Sequence, residues 1–576
     1  MKTRMVTLVL LAAVLVPASG PAVRRAAAST RPNVVILMSD DQRWDMVTPA
    51  FTPNIYSRLV AGNPYAFTDS FVPNPLCCPS RTSTLTGNFS HTTGVWSNSG
   101  PYGGFTAFHD QSTIAVDFHQ AGYRTAMIGK YLNGYVGGTN RYVPPGWDTW
   151  FALSGGTYYN YGVTTSGQVL HFGSGPDDYS TRVVEAQAKT FVDSSVADKV
   201  PFFMYLAFNA PHNPAIPDPL DVGRFASVTP ADTGTPMVNK AMLESAYGVD
   251  RAVGELLDAL PPNTIVVYMS DNGFLWGEHG LSGKLYPYNE SIRIPMILKS
   301  LDGSYVPPVG TNDLVLNVDL RPTLTRAAGI APLTSTEGID WGGGTYVPRT
   351  AFPLERYRQA GSVQSYCGVR EAGWMYTRYG AGTELLFNET ADPLEQTKLS
   401  PSAYPADYAR LRQEAQDLCK PPPPGYSWGA AARPPYQPDG MIRSSSSFIY
   451  AGSNIYNTTG IGQSTAKTIA VGGTATYYVK LQNDGALYDV IKIQGCAGAP
   501  GFTVSYKVGL SDATTQIVAG TYQTASLRLG SSKTITARIV ASSAEAQGKT
   551  LACSISATST GDASKTDVVS ATTAVI

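Results

Sequence analysis

The sequence predicts an α/β domain with polar residues gathered at one edge of its sheet, followed by an all-β tail. Three observations carry that expectation. From residue 31 to about 345, short apolar runs alternate with helical patterns, the order that builds a sheet flanked by helices. Two of those runs end in nearly the same acidic phrase. Beyond about residue 448 the composition shifts to Thr, Ser, Ala and Val with few charges.

The N-terminus reads as an export signal over residues 1–28. Lys2 and Arg4 are followed by an apolar stretch, Val6 to Val16, too short to span a bilayer, and then by small residues. No later segment is long and apolar enough to cross a membrane. A secreted protein in an oxidising compartment is expected. The chain has 576 residues, more than one ordinary core holds, and a net charge of −1 argues against a nucleic-acid binder. Any anion must therefore be met by a local cluster.

Each buried strand is read from its pattern. Asn33 to Met38 is a continuous apolar run that ends in Ser39-Asp40-Asp41, and Thr264 to Met269 ends in Ser270-Asp271-Asn272. Phe202 to Phe208 leads into Asn209-Ala210-Pro211-His212, and Tyr123 to Ile128 into Gly129-Lys130. Open α/β sheets bind ligands outside the carboxyl ends of their strands. Four parallel neighbours would thus bring Asp40, Asp41, Asp271, Asn272, Lys130 and His212 together. Three carboxylates and an amide oxygen suit a hard cation, Ca²⁺ or Mg²⁺. Met242, Val249, Val253, Leu256, Leu257 and Leu260 fall at helical spacing and read as core.

The most informative stretch runs from Cys77-Cys78-Pro79-Ser80-Arg81 to Thr86-Gly87. Pro79 suits the first turn of a helix and Gly87 its end, which puts Cys77 at a helix N-terminus. Of the other cysteines, Cys367 with Cys419 and Cys496 with Cys553 are natural local pairs. Adjacent Cys77 and Cys78 bridge only with a distorted peptide bond, so a third disulfide is not expected.

Cys-x-Pro-Ser-Arg followed by Thr-Gly is the signature of type I sulfatases, and residues 31 to about 420 resemble that family. Gly129-Lys130-Tyr131-Leu132-Asn133, Gly277-Glu278-His279-Gly280, Gly283-Lys284 and Asp319-Leu320-Arg321-Pro322-Thr323-Leu324 agree with it. The doubled cysteine looks most like the branch of N-acetylglucosamine-6-sulfatases and extracellular glucosamine sulfatases. The resemblance implies an alkaline-phosphatase-like fold, a large mixed sheet flanked by helices, over residues 31–345. A small α+β subdomain over 346–425 is expected next, recognised in Leu385-Leu386-Phe387 and Asp392-Pro393-Leu394-Glu395.

The resemblance also implies chemistry. Cys77 is expected to be oxidised by a formylglycine-generating enzyme to formylglycine, whose hydrate carries two hydroxyls on one carbon. One attacks sulfur, and the other then expels sulfate. Ca²⁺, with Mg²⁺ the less favoured ion, is expected on Asp40, Asp41, Asp271, Asn272 and the modified Cys77. Lys130 and Lys284 match the lysines that grip sulfate, Arg81 the arginine that orders formylglycine, and His212 a general acid. Many relatives place a histidine two residues after the first lysine; here that position is Leu132, then Asn133.

Pro421 to Gly425, Arg433-Pro434-Pro435 and Ser444 to Ser447 read as linker, with residues 426–447 joining the parts. Residues 448–576, with runs such as Thr476 to Leu481 and Thr534 to Val540, suit an immunoglobulin-like β-sandwich. A contact of this tail with glycan or cell wall is one expectation for it. The expected activity is hydrolysis of a sulfate ester, of a sulfated carbohydrate or an aryl sulfate. Two other readings compete: a phosphate or phosphonate ester hydrolase with Cys77 unmodified, and a non-catalytic glycan-binding surface protein.

Overall fold

The computed structural model describes residues 31–135, 142–359, 363–429, 434–444, 450–542 and 546–576. The export signal expected at 1–28, and Arg433 and Ser445 to Ser447 of the expected linker, lie outside the described residues. Among those described, no helix is long and apolar enough to cross a membrane. The chain divides into two compact units. One is Met1–Ala381 with Glu389–Gln396 and Ala415–Tyr426, and the other is Gly382–Asn388, Thr397–Glu414 and Ser427–Ile576.

The first unit is built on an eight-stranded sheet. Its strands are β1 (Asn33–Ser39), β2 (Arg124–Gly129), β3 (Thr149–Ser154), β4 (Tyr161–Thr165), β5 (Val169–Phe172), β6 (Phe202–Ala207), β7 (Thr264–Ser270) and β8 (Met296–Ser300), in the order β8-β7-β1-β6-β2-β3-β4-β5. The middle strands β7, β1, β6, β2 and β3 are parallel, whereas β8 pairs antiparallel with β7, β4 antiparallel with β3, and β5 antiparallel with β4. The four runs that end in polar residues are therefore parallel neighbours, and the sheet is mixed.

Helices on both faces explain why β1, β6 and β7 are buried at every position and apolar through their middles. Val34, Ile36 and Met38 face one core with Leu85 of α1 (Cys77–Thr86), Ile114 and Phe118 of α2 (Ile114–Gln120), and Leu320 and Leu324 of a helix at Leu320–Ala327. Val35 and Leu37 face the other core, with Val184 and Phe191 of the helix Ser180–Asp198 and with Val249, Val253 and Leu256 of Lys240–Ala259. Asn239 caps this last helix by accepting from Met242 N at 3.1 Å. Its apolar stripe is core, as its spacing indicates. An antiparallel trio, Ala351–Arg356, Tyr366–Glu371 and Trp374–Tyr379, follows, with the Cys367–Cys419 disulfide closing a loop onto it.

The second unit contains a β-sandwich. One sheet runs Pro438–Arg443, Thr474–Asn483, Ser532–Ala541, Phe502–Val508 and Ser511–Asp512; the other runs Ser464–Ile469, Thr566–Val575, Thr550–Ser559, Ile491–Gly495 and Tyr522–Gln523. Thr474–Asn483 alternates buried and half-buried positions, and Tyr477, Val479 and Leu481 meet Ile535, Ile539, Ile555 and Val569 between the sheets. Cys496–Cys553 is bonded. Within the stretch expected to be linker, Pro438–Arg443 is a strand paired with Thr474–Asn483.

Candidate active site

Strand order brings the acidic phrases together first. β1 and β7 pair in register through Ser39 and Ser270, so Asp40 and Asp271 leave the sheet side by side. Asp41 takes a positive φ of 66°, and its N–H donates to Asp271 Oδ1 at 3.1 Å. That turn folds Asp41 back over the strand ends, where Asn272 Nδ2 donates to its carboxylate at 2.7 Å. Lys130 follows Gly129, whose φ is +105°; a Cβ there would lie 1.9 Å from Ala207 O on the neighbouring strand. Only glycine fits this close approach.

α1 belongs to the core that Val34, Ile36 and Met38 face. Pro79 stands in its first turn and Gly87 closes it at φ 72°, both as the sequence predicts, and every residue of the helix is buried. Cys77 is its first residue. Lys284 Nζ lies 2.9 Å from Cys77 Sγ, Asp40 Oδ1 lies 3.9 Å from it and Lys130 Nζ 4.0 Å. Lys284 also pairs with Asp41, and Lys130 with Asp40. Arg81, one turn along, donates from Nε to Asp271 Oδ2 at 2.9 Å and from Nη1 to Lys130 O at 2.8 Å. His212 Nε2 lies 3.8 Å from Asp41 Oδ2. All nine residues named from the sequence thus meet around Cys77.

Burial sets the electrostatics of this cluster. It would raise the carboxyl of Asp40, but Lys130, His212 and Arg81 outweigh it and hold Asp40 below its usual range. Burial also works against the charge of Lys130 and Lys284, yet Asp40 and Asp41 respectively keep the two ammonium groups charged. The Cys77 thiol is pushed up by burial despite both lysines, so the unmodified side chain is neutral. Cys78 is pushed up to about 12 by burial and by Cys77, and its Sγ accepts from Asn133 N at 3.0 Å.

Asp40, Asp41 and Asp271, all buried, each offer an oxygen within 4.8 Å of the others. Asn272 Oδ1 is buried without a hydrogen-bond partner. An all-oxygen donor set with an unmatched amide oxygen fits a calcium ion. A cavity of about 320 Å³ opens beside it, lined by Lys130, Leu132, Asn133, Tyr135, Gly156 and His212.

The sequence profile of the Sulfatase family matches residues 32–330, just over half of the chain. The chain belongs to the sulfatase family. The N-acetylglucosamine-6-sulfatase of Homo sapiens is 32% identical over 350 residues, covering 53% of this chain and 62% of that protein. The extracellular sulfatase SULF-1 homolog of Drosophila melanogaster is 30% identical over 343 residues, covering 52% of this chain and 30% of that protein. Each match thus spans less than two thirds of the relative's own length. Among solved structures, a protein in complex with its substrate D-glucosamine-2-N,6-O-disulfate aligns with a TM-score of 0.58 and 23% identity, covering 68% of this chain and 98% of that one. At that identity the likeness shows the fold.

Several contacts in this sulfatase-family site carry no sequence signal. Asn98 Oδ1 accepts from Cys78 N at 2.8 Å and so occupies one of the free N–H groups at the start of α1. Tyr158 lies in the loop between β3 and β4. It is buried, with its hydroxyl donating to His212 O at 2.6 Å. Asn133 faces Cys78, with Oδ1 at 3.5 Å from its Sγ, and Leu132 is apolar, so neither places a base beside Cys77.

His91 is structural in its contacts, held between Glu355 Oε2 at 2.7 Å and Glu337 Oε1 at 3.2 Å. Burial opposes its charge, but the two glutamates win and raise its pKa from 6.5 to about 10. The stability it adds is therefore fully present below pH 6.5 and fades as pH rises through about 10. Thermal midpoints of the wild type and His91→Gln should differ by a constant gap at acidic pH that narrows on the alkaline side. A gap that is flat across this range would contradict the ion-pair origin.

Proposed function

We propose that the chain is a secreted sulfuric ester hydrolase acting on a sulfated carbohydrate, with Cys77 converted to formylglycine by a formylglycine-generating enzyme. The observation that carries this reading is the pair of charged lysines, Lys284 and Lys130, converging on Cys77 at a helix N-terminus beside three buried carboxylates. Glycosaminoglycan-type substrates are supported by the relatives' names, N-acetylglucosamine-6-sulfatase and extracellular sulfatase. Secretion is supported by the N-terminal pattern and the two disulfides. In this reading residues 31–345 form the catalytic domain, 346–425 its subdomain, and the sandwich contacts glycan or cell wall.

Asp40, Asp41, Asp271 and Asn272 would hold Ca²⁺, which supplies positive charge beside position 77 and against sulfate oxygens. The thiol of Cys77 stands where the paired hydroxyls of hydrated formylglycine would stand. Asp40 Oδ1 is placed to take the proton of the attacking hydroxyl as its oxygen bonds to sulfur. Lys130 and Lys284 neutralise the charge that builds on the sulfuryl oxygens. His212 Nε2 gives a proton to the departing sugar oxygen as the sulfur–oxygen bond breaks. The second hydroxyl then gives its proton to His212, left neutral by that transfer, as the carbon–oxygen bond to sulfate breaks and the aldehyde returns.

Mass spectrometry of the Cys77 peptide from chain co-produced with the modifying enzyme should show aldehyde in place of thiol. That sample should hydrolyse an aryl sulfate far faster than the matching aryl phosphate, and a chelator should abolish the activity. Thiol throughout, with phosphate preferred, would replace this reading by that of a phosphoesterase.

A further inference from the structure

Lys284 reaches Cys77 from a segment that little packing holds. Residues 281–288 are half-buried or exposed except for Pro287. Leu285, next to the lysine, holds φ at +89°, a left-handed backbone that bulky side chains rarely adopt. Such a conformation persists only where surrounding contacts over-determine it. On one side the segment leaves a short antiparallel pairing of Ser282–Gly283 with Leu275–Trp276. On the other it enters the short helix Asn289–Ile292.

Two contacts draw its ends together across Lys284. His279 Nε2 lies 3.3 Å from Glu290 Oε2, so residues on either side of the lysine meet. The His279 ring also stacks on Tyr288, with centroids 3.9 Å apart and planes 12° from parallel. His279 itself holds left-handed backbone at φ 55°, between Gly277 and Gly280, both also at positive φ. Gly277 N donates to Leu281 O at 2.9 Å and closes this turn.

Buried carboxylates fix the far end. Glu395 Oε2 accepts from Asn289 N at 2.7 Å, and Glu389 Oε2 from Asn289 Nδ2 at 2.8 Å. Arg370 pairs with Glu389 at 3.1 Å. Glu290 is 7% exposed, Glu389 5% and Glu395 2%, so water competes little for these bonds. Neither His279 nor Glu290 is among the nine residues around Cys77, and the reaction above uses neither.

We propose that His279 and Glu290 are positioning residues that close the neck of the 279–290 loop and so aim the Lys284 ammonium at Cys77 and Asp41. The role of Lys284 rests on the reading above, whereas the neck rests on contacts that involve no substrate. A lysine that neutralises sulfuryl oxygens works only at the right distance, and a displacement of about 1 Å can cost ~10²-fold in rate.

The test is a double-mutant cycle on the full chain co-produced with the modifying enzyme, with His279→Asn, Lys284→Ala and the two together. Asparagine accepts the left-handed backbone but lacks the ring that stacks on Tyr288. On an aryl sulfate, His279→Asn alone should lower kcat/KM ~10- to 100-fold, and by less than ~3-fold when Lys284 is already alanine. Losses that simply add would make His279 a structural residue and overturn the proposal. Hydrogen exchange reads the neck without any substrate. Peptides spanning 281–288 should exchange faster in His279→Asn than in wild type at an unchanged unfolding midpoint, and equal exchange overturns the proposal as well. If the ester turned over proves to be a phosphate, the sulfatase reading fails while the cycle, run on that ester, still decides the neck. Should Lys284→Ala turn over too slowly to measure, exchange decides alone. Should His279→Asn fail to fold, Glu290→Gln takes its place in both measurements.

Discussion

Cys77→Ala should lower kcat on a sulfate ester by ~10⁴-fold or more while the chain stays folded, because the substitution removes the nucleophile from an otherwise intact site. Cys77 is buried at the first position of α1, and its backbone conformation suits alanine equally well. The change deletes one sulfur atom, a small loss of packing beside the loss of chemistry. Cys77→Ser sharpens the test. A serine hydroxyl keeps one oxygen near Lys284 and Asp40 but lacks the second hydroxyl that expels sulfate. That variant should therefore release one equivalent of alcohol per chain and stop, with a sulfo group left on the peptide. Continued turnover by either variant would sink the proposed mechanism. Circular dichroism and unfolding midpoints close to wild type establish that the loss is chemical.

The largest effect on stability is expected at Arg321. Its guanidinium is completely buried and forks onto Asp117, with Nε to Oδ2 at 2.7 Å and Nη2 to Oδ1 at 3.0 Å. Nη1 also donates to Thr86 O at 2.9 Å, which joins the last turn of α1 to α2 and to the helix Leu320–Ala327. Arg321→Ala leaves the Asp117 carboxylate buried with only the Leu333 N–H at 2.9 Å among its strong donors. Removing one partner of a buried pair in this way costs about 3–5 kcal/mol. The urea midpoint should fall accordingly. A double variant, Arg321→Met with Asp117→Asn, should recover part of the loss, since the stranded charge is gone. A single variant within about 0.5 kcal/mol of wild type would show that water reaches this carboxylate.

How much was legible before any coordinates follows from what a local pattern can encode. Asp40, Asp41, Asp271 and Asn272 were readable because a strand covered on both faces is apolar at every position, so the first polar residues mark its end. Lys130 and His212 followed by the same rule, and Cys77 by the Pro79 and Gly87 that bound its helix. The linker reading of 426–447 had a local reason too. Pro438-Asp439-Gly440 has the composition of a turn, yet Pro438–Arg443 pairs as a strand with Thr474–Asn483, and Gly440 N donates to Asp567 Oδ2 at 2.7 Å.

By itself, the sequence determined the sheet, the helix that begins at Cys77, the partners of both disulfides and the nine residues that gather at the strand ends. Periodicity, caps and motif spacing are properties of neighbours along the chain, and these features rest on them, save Lys284, which the family resemblance alone implies. Only the tertiary structure decided that Asn98 occupies the N–H of Cys78, that Tyr158 donates to the His212 carbonyl, that Glu337 and Glu355 clasp His91, and that Asp567 ties Gly440 to Gln463 inside the sandwich. Those partners stand between 20 and 264 residues apart, so no local spacing announces them. They are chosen by which polar atoms a closed core strands away from water, and a buried oxygen or N–H must be matched by whatever the fold brings within reach.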